Sequence, residues 1–194
     1  MLGYKPFKFL MFFVVLFFLQ VLPRINGAEI ANEVLPEDIG TRKTGADWES
    51  FLGKNGDSFS PEKGITPWPA GGPKLLWGAR MADGYAMPAI SRGRAFLFDQ
   101  SKGIARLRCC NSETGKELWV FTYESNYQDL YGYSNGPRCY PIVDGARVYI
   151  IGPEGLLHCI DVSTGKVIWK TNTVEEFGVI QNFFGVGSTP VVHG

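Results

Sequence analysis

The sequence predicts an all-β protein built from repeated four-stranded sheets, and two recurring motifs carry this prediction. The first motif, Asn111-Ser-Glu-Thr-Gly-Lys-Glu-Leu-Trp119, returns about fifty residues later as Asp161-Val-Ser-Thr-Gly-Lys-Val-Ile-Trp169. The second motif is a proline followed by a short apolar run, and it occurs three times, at Pro88, Pro141 and Pro190. Self-similarity at about this period is typical of solenoids, propellers and other arrays.

Short apolar segments bounded by Gly, Pro, Asn or Asp predict the individual strands. A short strand is expected at 75–77, and no segment has the 3.6-residue apolar spacing of a confident helix. Four strands per period, with a glycine turn and a tryptophan, favour β-propeller blades over a β-helix or leucine-rich repeats. The predicted strands cover residues 86–90, 95–99, 104–110 and 117–123 in the first repeat, and 139–143, 147–151, 156–160 and 167–171 in the second.

The repeated turn has a physical explanation. The side chain of Asn111 or Asp161 can cap its own turn, and the glycine four residues later supplies a positive φ. The tryptophan then lies on the returning strand, where its large ring can cover the gap between adjacent sheets. We therefore assign a structural role to the six residues of the repeat signature: Thr114, Gly115, Trp119, Thr164, Gly165 and Trp169.

The first 28 residues have the order of a secretory signal peptide. Lys5 and Lys8 precede an apolar run over residues 9–22, and small residues follow it, so cleavage is expected after Gly27 or Ala28. The apolar run is shorter than the roughly 20 residues that span a bilayer. The alternative is that residues 9–22 are retained as a membrane anchor.

The rest of the chain divides into three parts. Residues 29–46 are predicted to be a flexible lead-in, and residues 74–194 to form about two and a half propeller blades. Residues 47–73 are expected to be an N-terminal extension that packs on the propeller through Trp48, Phe51 and Phe59. Because propellers close with about 4–8 blades, the chain is interpreted as the N-terminal part of a longer protein or a truncated product.

Charge and composition exclude some functions. Residues 1–28 contain three of the 19 basic residues and none of the 19 acidic ones, which leaves the remainder with a net charge near −3. No basic run remains to follow a phosphate backbone, so nucleic acid is not expected as a partner. A periplasmic or extracellular location would permit disulfides among the four cysteines.

The sequence offers no assignable catalytic, cofactor-binding or metal-binding residue. His158 and His193 are the only histidines, and neither has ligand-type spacing to cysteine or aspartate. No Gly-x-Ser-x-Gly elbow or phosphate-binding loop is present. We therefore expect no cofactor, and the protein or small-molecule ligand stays unidentified.

The best candidate for a binding surface is the tyrosine-rich connection over residues 123–140. It joins the outer strand of one blade to the inner strand of the next, and it contains Tyr131, Tyr133 and Arg138. Aromatic faces beside a guanidinium are common at recognition sites. In the alternative interpretation the tyrosines pack between blades and Arg138 pairs locally with an acid.

The Asp/Asn-x-x-Thr-Gly-Lys-x-x-Trp pattern resembles the PQQ-like (pyrroloquinoline-quinone-type) propeller repeat. That repeat occurs in quinoprotein alcohol dehydrogenases and in the outer-membrane assembly lipoprotein BamB. The lead-in Asp47-Trp48, Phe51-Leu-Gly53 and Asn55-Gly-Asp-Ser58 is similar to the start of exported PQQ-like repeat proteins of planctomycete-type bacteria. The resemblance covers about residues 47–194.

The resemblance implies two alternative functions. The first is a non-catalytic binding or scaffolding module at the cell envelope. The second is the N-terminal part of a PQQ-dependent dehydrogenase, which would use the quinone with Ca²⁺ and place a vicinal disulfide beside it. Cys109 and Cys110 could form that disulfide, but they also occupy the strand positions of Cys159 and Ile160, where buried structural cysteines are expected.

Overall fold

The computed structural model of the chain describes residues 33–193. The expected signal peptide at 1–28, and the alternative anchor at 9–22, lie outside the described residues. Within residues 33–193, no helix is long enough and apolar enough to cross a membrane.

Two four-stranded antiparallel sheets form the body of the described chain. Blade 1 consists of β1 (Ala89–Ser91), β2 (Arg94–Ser101), β3 (Ile104–Asn111) and β4 (Glu117–Glu124), paired in sequence order. Blade 2 consists of β5 (Ile142–Asp144), β6 (Arg147–Ile151), β7 (Leu156–Asp161) and β8 (Val167–Asn172), again in sequence order. One short helix, α1 (Thr173–Phe177), follows β8. The nearly all-β composition and the two meandering sheets confirm the predicted fold class of incomplete β-propeller blades.

The two blades share one hydrophobic core. Phe96, Phe98 and Leu107 from blade 1 lie in the same buried cluster as Val148 and Ile150 from blade 2. All five side chains are at most 1 % exposed. Phe96 and Phe98 are two residues apart on β2, and successive side chains of a strand point to opposite faces, so the two rings enter the core from one face of the sheet.

The repeated turns are built alike in both blades. The Asn111 side-chain oxygen accepts hydrogen bonds from the backbone N–H groups of Glu113 and Thr114, at 3.0 and 2.9 Å. The Asp161 carboxylate accepts the equivalent bonds at 3.1 and 2.8 Å. Gly115 and Gly165 both have φ of 72°, a conformation that glycine adopts without strain. Local side-chain chemistry therefore sets the position of the strand that follows.

Trp77 and Trp119 each contact the glycine turn that comes next in the chain. The Trp119 indole N–H donates to the Val162 carbonyl at 2.9 Å, and a Cβ added to Gly165 would lie 2.7 Å from the Trp119 ring. Trp77 makes the same contact with blade 1, because its indole N–H donates to the Ser112 carbonyl at 2.9 Å. Trp169, in contrast, is 43 % exposed. The contact of Trp77 or Trp119 with the turn leaves no room for a side chain there, and only glycine has none.

The helix α1 was not expected from the sequence, and the strand expected at 75–77 is not formed. The Asn172 side chain caps the helix by accepting from the N–H groups of Val174 and Glu175, and Gly178 ends it with φ of 65°. A helix of five residues is too short to produce an apolar periodicity. Residues 75–77 pair with no strand in the described part of the chain.

The N-terminal extension contacts the first strand of both blades. Trp48 and Ile90 exchange two backbone hydrogen bonds of 2.9 and 2.8 Å, and the Val143 N–H donates to the Glu49 carbonyl at 2.8 Å. Phe51 packs against Tyr140 in a tilted contact, with 4.6 Å between ring centroids. Phe59, which was expected to pack down, is 70 % exposed. Adjacent backbone groups of the extension thus bind two blades at once.

Candidate functional site: an aromatic surface

A buried ion pair organises the tyrosine-rich connection between the blades. Arg138 Nη2 lies 2.6 Å from Asp129 Oδ2, and the two side chains are 8 % and 0 % exposed. The guanidinium also donates to the carbonyls of Gly136, Ser134 and Phe184, at 2.8, 2.7 and 3.1 Å. Because Phe184 lies in a different loop, this one side chain joins the connection to residues 182–185. Arg138 is therefore an internal clamp, and its charge is neutralised by Asp129.

Two further contacts hold the guanidinium in place. Its central carbon lies 5.2 Å from the centroid of the Tyr85 ring and 5.4 Å from that of Tyr127. Cations within about 6 Å of an aromatic centroid are attracted by the ring quadrupole. The guanidinium spreads its donors over four acceptors and lies against two rings, and lysine cannot reproduce this geometry.

The carboxylate of Asp129 stays ionised in this setting. Burial raises the pKa of Asp129, but the hydrogen bond from the Tyr131 N–H and the charge of Arg138 outweigh burial and lower it below its usual range. The Tyr131 N–H lies 2.8 Å from Oδ1, and the Asp129 N–H donates to Asn135 Oδ1 at 2.8 Å. The position of Tyr131 is consequently fixed by the same carboxylate that binds Arg138.

Four exposed rings lie together above this clamp, and we call them the aromatic surface: Tyr131, Tyr133, Phe183 and Phe184. They are 59, 70, 64 and 51 % exposed. Tyr131 is central, with 6.2 Å to the Tyr133 centroid, 6.2 Å to Phe183 and 6.1 Å to Phe184. The interplanar angles of these pairs are 33 to 55°. The rings thus support one another in tilted contacts and leave their outer faces open to solvent.

The structure separates the three residues proposed for the binding surface. It brings Tyr131 and Tyr133 together as exposed neighbours, whereas Arg138 is buried beneath the surface with its local acid. Sequence reasoning did not assign Phe183 and Phe184 to the site. Their signal was positional, because the Asn182-Phe-Phe-Gly185 segment precedes the third proline motif as the tyrosine-rich segment precedes the second.

A second polar cluster lies between the blades. His158 on β7 is 3 % exposed, and its ring lies 5.2 Å from the Phe121 ring and 4.6 Å from the Tyr123 ring of β4. Burial, with the nearby charge of Lys170, lowers the pKa of His158 to about 4. Burial and the Glu154 carboxylate raise the pKa of Tyr123. These groups are enclosed by the blade interface, and we assign them to packing.

The four cysteines are buried free thiols. Cys109 and Cys110 are neighbours on β3, opposite Phe96 and Ala95 of β2, so their side chains point to opposite faces of the sheet. Burial raises the pKa of Cys109 to about 12. The structure thus has two separate thiols at the position where the dehydrogenase alternative would place a vicinal disulfide.

The dehydrogenase alternative would require a quinone site with Ca²⁺. Between residues 33 and 193, no three His, Cys, Asp or Glu side chains are grouped so that they could hold a metal ion. The Cys109 thiol belongs to the shared core and is 0 % exposed. It therefore presents no surface to a bound quinone.

Comparisons with known proteins bear on the family and the fold. A PQQ-type family model, described as outer membrane protein assembly factor BamB, matches residues 103–192. BamB from Moraxella catarrhalis is a similar solved structure, with 19 % identity and a TM-score of 0.32 over 47 % of this chain and 23 % of that chain. A europium-containing methanol dehydrogenase gives 23 % identity and a TM-score of 0.34 over 44 % of this chain and 14 % of that one.

A third solved structure, the quinohemoprotein alcohol dehydrogenase from Comamonas testosteroni, has 23 % identity and a TM-score of 0.32 over 50 % of this chain and 14 % of its own. The matches thus span less than a quarter of the length of each of these three proteins. A comparison with curated protein sequences finds no match. The family model covers both Thr-Gly-Lys turns and all of blade 2, where the repeat geometry is complete. Residues 103–192 therefore match the PQQ-like repeat.

Proposed function

We propose that this chain is an exported, non-catalytic PQQ-like propeller module that binds another molecule at the cell envelope. The observation that carries the proposal is the aromatic surface. Contiguous exposed apolar patches on soluble domains mark interaction sites, and here four rings, each more than half exposed, lie side by side.

The frame below the rings supports a binding role. The Arg138–Asp129 pair and the backbone bonds around it fix both loops that carry the surface. A surface that is already ordered loses less conformational entropy on binding, so more of the contact energy appears as affinity. Tyrosine and phenylalanine also supply a large contact area from side chains with few rotatable bonds.

Two observations support a place at the cell envelope. Residues 1–28 have the basic, apolar and small-residue order of a secretory signal. The family model that matches residues 103–192 is described as an outer membrane assembly factor. A chain with both features is expected outside the cytoplasm.

The proposal is tested by binding to envelope fractions. The full chain is incubated with envelope fractions from the cells that express it, and the bound fraction is measured after sedimentation. The double variant Tyr131→Ala/Phe184→Ala is expected to bind at least about tenfold more weakly, since two stacked rings are lost. Phe177→Ala is the matched control, because Phe177 on α1 is 70 % exposed and lies outside the aromatic surface. Equal binding by the double variant and the control would refute the proposed role of the surface.

The non-catalytic part of the proposal has its own test. The full chain is mixed with PQQ and Ca²⁺ and assayed for quinone absorbance and for dye reduction with alcohols and sugars. We expect no turnover above the protein-free reaction. Reproducible turnover would replace the scaffold proposal with the quinoprotein dehydrogenase.

A further inference from the structure

We propose that the ligand of the aromatic surface is a neutral oligosaccharide, bound with its sugar rings stacked on Tyr131 and its neighbours. This inference deepens the proposed function and rests on it, because it names the ligand of the same surface.

The first argument is charge. The segments that form or flank the surface, residues 84–91, 130–137 and 178–190, contain no acidic or basic residue. The one cation and one anion beneath the rings are paired at 2.6 Å and almost fully buried. A charged ligand would lose hydration here and find no opposite charge in these segments to compensate it. A neutral ligand has no such cost.

The second argument is the combination of apolar faces with neutral hydrogen-bonding groups. Tyr131 and Tyr133 each carry a phenolic hydroxyl, and the exposed amide side chains of Gln128 and Asn182 lie in the same two loops. Hydroxyls and amides both donate and accept hydrogen bonds. A pyranose has an apolar C–H face and a rim of hydroxyls, so it can stack on a ring and bond to these groups together.

The third argument is the shape of the surface. The three rings around Tyr131 are tilted from it by 33 to 55°. No single flat molecule can contact all four rings face-on, whereas linked sugar rings change direction at each glycosidic bond. The geometry therefore favours an oligosaccharide over a single ring. A protein partner is less well matched, since protein interfaces commonly enrich arginine together with aromatic residues, and the three segments contain no arginine.

The test is electrophoresis of the full chain through native gels that contain one polysaccharide each. The neutral probes are galactomannan, xyloglucan and laminarin, and the anionic probe is alginate. We expect retardation by at least one neutral polysaccharide and none by alginate. Tyr131→Ala and, separately, Tyr133→Ala are expected to raise the dissociation constant by about tenfold, the loss of one stacked ring. Tyr131→Phe retains stacking and loses only a hydroxyl, so it should weaken binding less than Tyr131→Ala does. Phe177→Ala is the matched control and should bind as the unmodified chain does.

Each contrary outcome is distinct. Retardation by none of the neutral polysaccharides, equal retardation by alginate, or an equal loss in Phe177→Ala overturns the inference. Because Tyr133 is 70 % exposed, its truncation should leave the unfolding midpoint unchanged and keep the test valid even where Tyr131→Ala fails to fold. If protease treatment of the envelope fraction abolishes binding that depends on Tyr131, the ligand is a protein. That result overturns the carbohydrate inference and leaves the proposed binding function standing.

Discussion

At the scale of single residues, His158 shows how burial changes an ionisable group. Its ring lies against Phe121 and Tyr123 of the neighbouring blade, and Nδ1 has no hydrogen-bond partner among the described residues. The charged groups around it are Lys170, paired with it on β8, and Glu154, which lies beyond Tyr123. An imidazolium would therefore be poorly solvated at this interface.

We expect the chain to lose stability in mild acid through His158. Its pKa is about 4 in the folded state and 6.5 without the fold, so the unfolded chain binds the extra proton between these values. The contribution of His158 to the free energy of unfolding is fully present above pH 6.5. It falls by about 3 kcal/mol as the pH drops to 4. Urea unfolding at pH 7.5, 5.5 and 4.5 measures this loss. His158→Gln should remove most of the slope, and an unchanged slope would contradict the assignment.

The cysteines give a second prediction at this scale. Burial raises the pKa of Cys109 and of Cys139 to about 12, and only the thiolate reacts with alkylating agents. We expect the native chain at pH 8 to take up no iodoacetamide, and the chain unfolded in urea without reductant to take up four equivalents, one for each of its four cysteines. Mass spectrometry counts the adducts. Two adducts instead of four would reveal a disulfide such as Cys109–Cys110.

Some of the candidate site could be read from the sequence and some could not. Tyr131 and Tyr133 were visible as a local cluster of aromatic residues. Their contacts with Phe183 and Phe184 join loops about fifty residues apart, and a local pattern cannot reveal such a contact. The Arg138–Asp129 pair spans nine residues of irregular loop, where no periodicity relates the two side chains.

At the scale of elements, the strands were predictable because turn chemistry bounds each of them. The third and fourth strands of each blade begin or end at the Thr-Gly-Lys turns, namely β3, β4, β7 and β8. The strand expected at 75–77 does not form, because no neighbouring strand pairs with its backbone groups in the described residues. The sequence signal for α1 is a capping pattern, in which Glu175 follows Asn172 by three residues. A search for apolar periodicity does not detect such a pattern.

The tryptophan contact between blades gives a matched pair of variants. Trp119→Ala removes a half-buried ring from the Gly165 turn and the hydrogen bond to Val162, so we expect it to lower the free energy of unfolding by about 3 kcal/mol. Trp169→Ala, at the same repeat position but 43 % exposed, should cost less than about 1 kcal/mol. Chemical denaturation of both variants measures the difference. Equal costs would show that the contact with Gly165 contributes little.

At the scale of the whole molecule, the shared core makes the two blades one folding unit. Phe121 and Tyr123 from β4 also pack against this core, which includes side chains of both sheets. Separating the blades would expose the core and the buried His158 together. The fold class was predictable because it depends on local turns, whereas this shared packing depends on contacts between repeats.

We therefore expect residues 33–193 to unfold in a single cooperative transition. Tryptophan fluorescence and far-ultraviolet circular dichroism should report the same urea midpoint, because the main cluster of buried side chains contains residues of both blades. Two resolved transitions, with the blade 1 tryptophan Trp119 and the blade 2 tryptophan Trp169 changing at different urea concentrations, would contradict this expectation.

The contact between Trp119 and the Gly165 turn also bears on how such chains evolve. The contact joins two different groups, the indole of one repeat and the glycine turn of the next. Neighbouring repeats therefore associate head to tail. Duplication or deletion of one whole unit of about fifty residues recreates the same junction between the remaining neighbours. A change of half a unit leaves an indole without its glycine. Selection on such genes therefore favours gains and losses in whole repeats, without any compensating substitution at the junction.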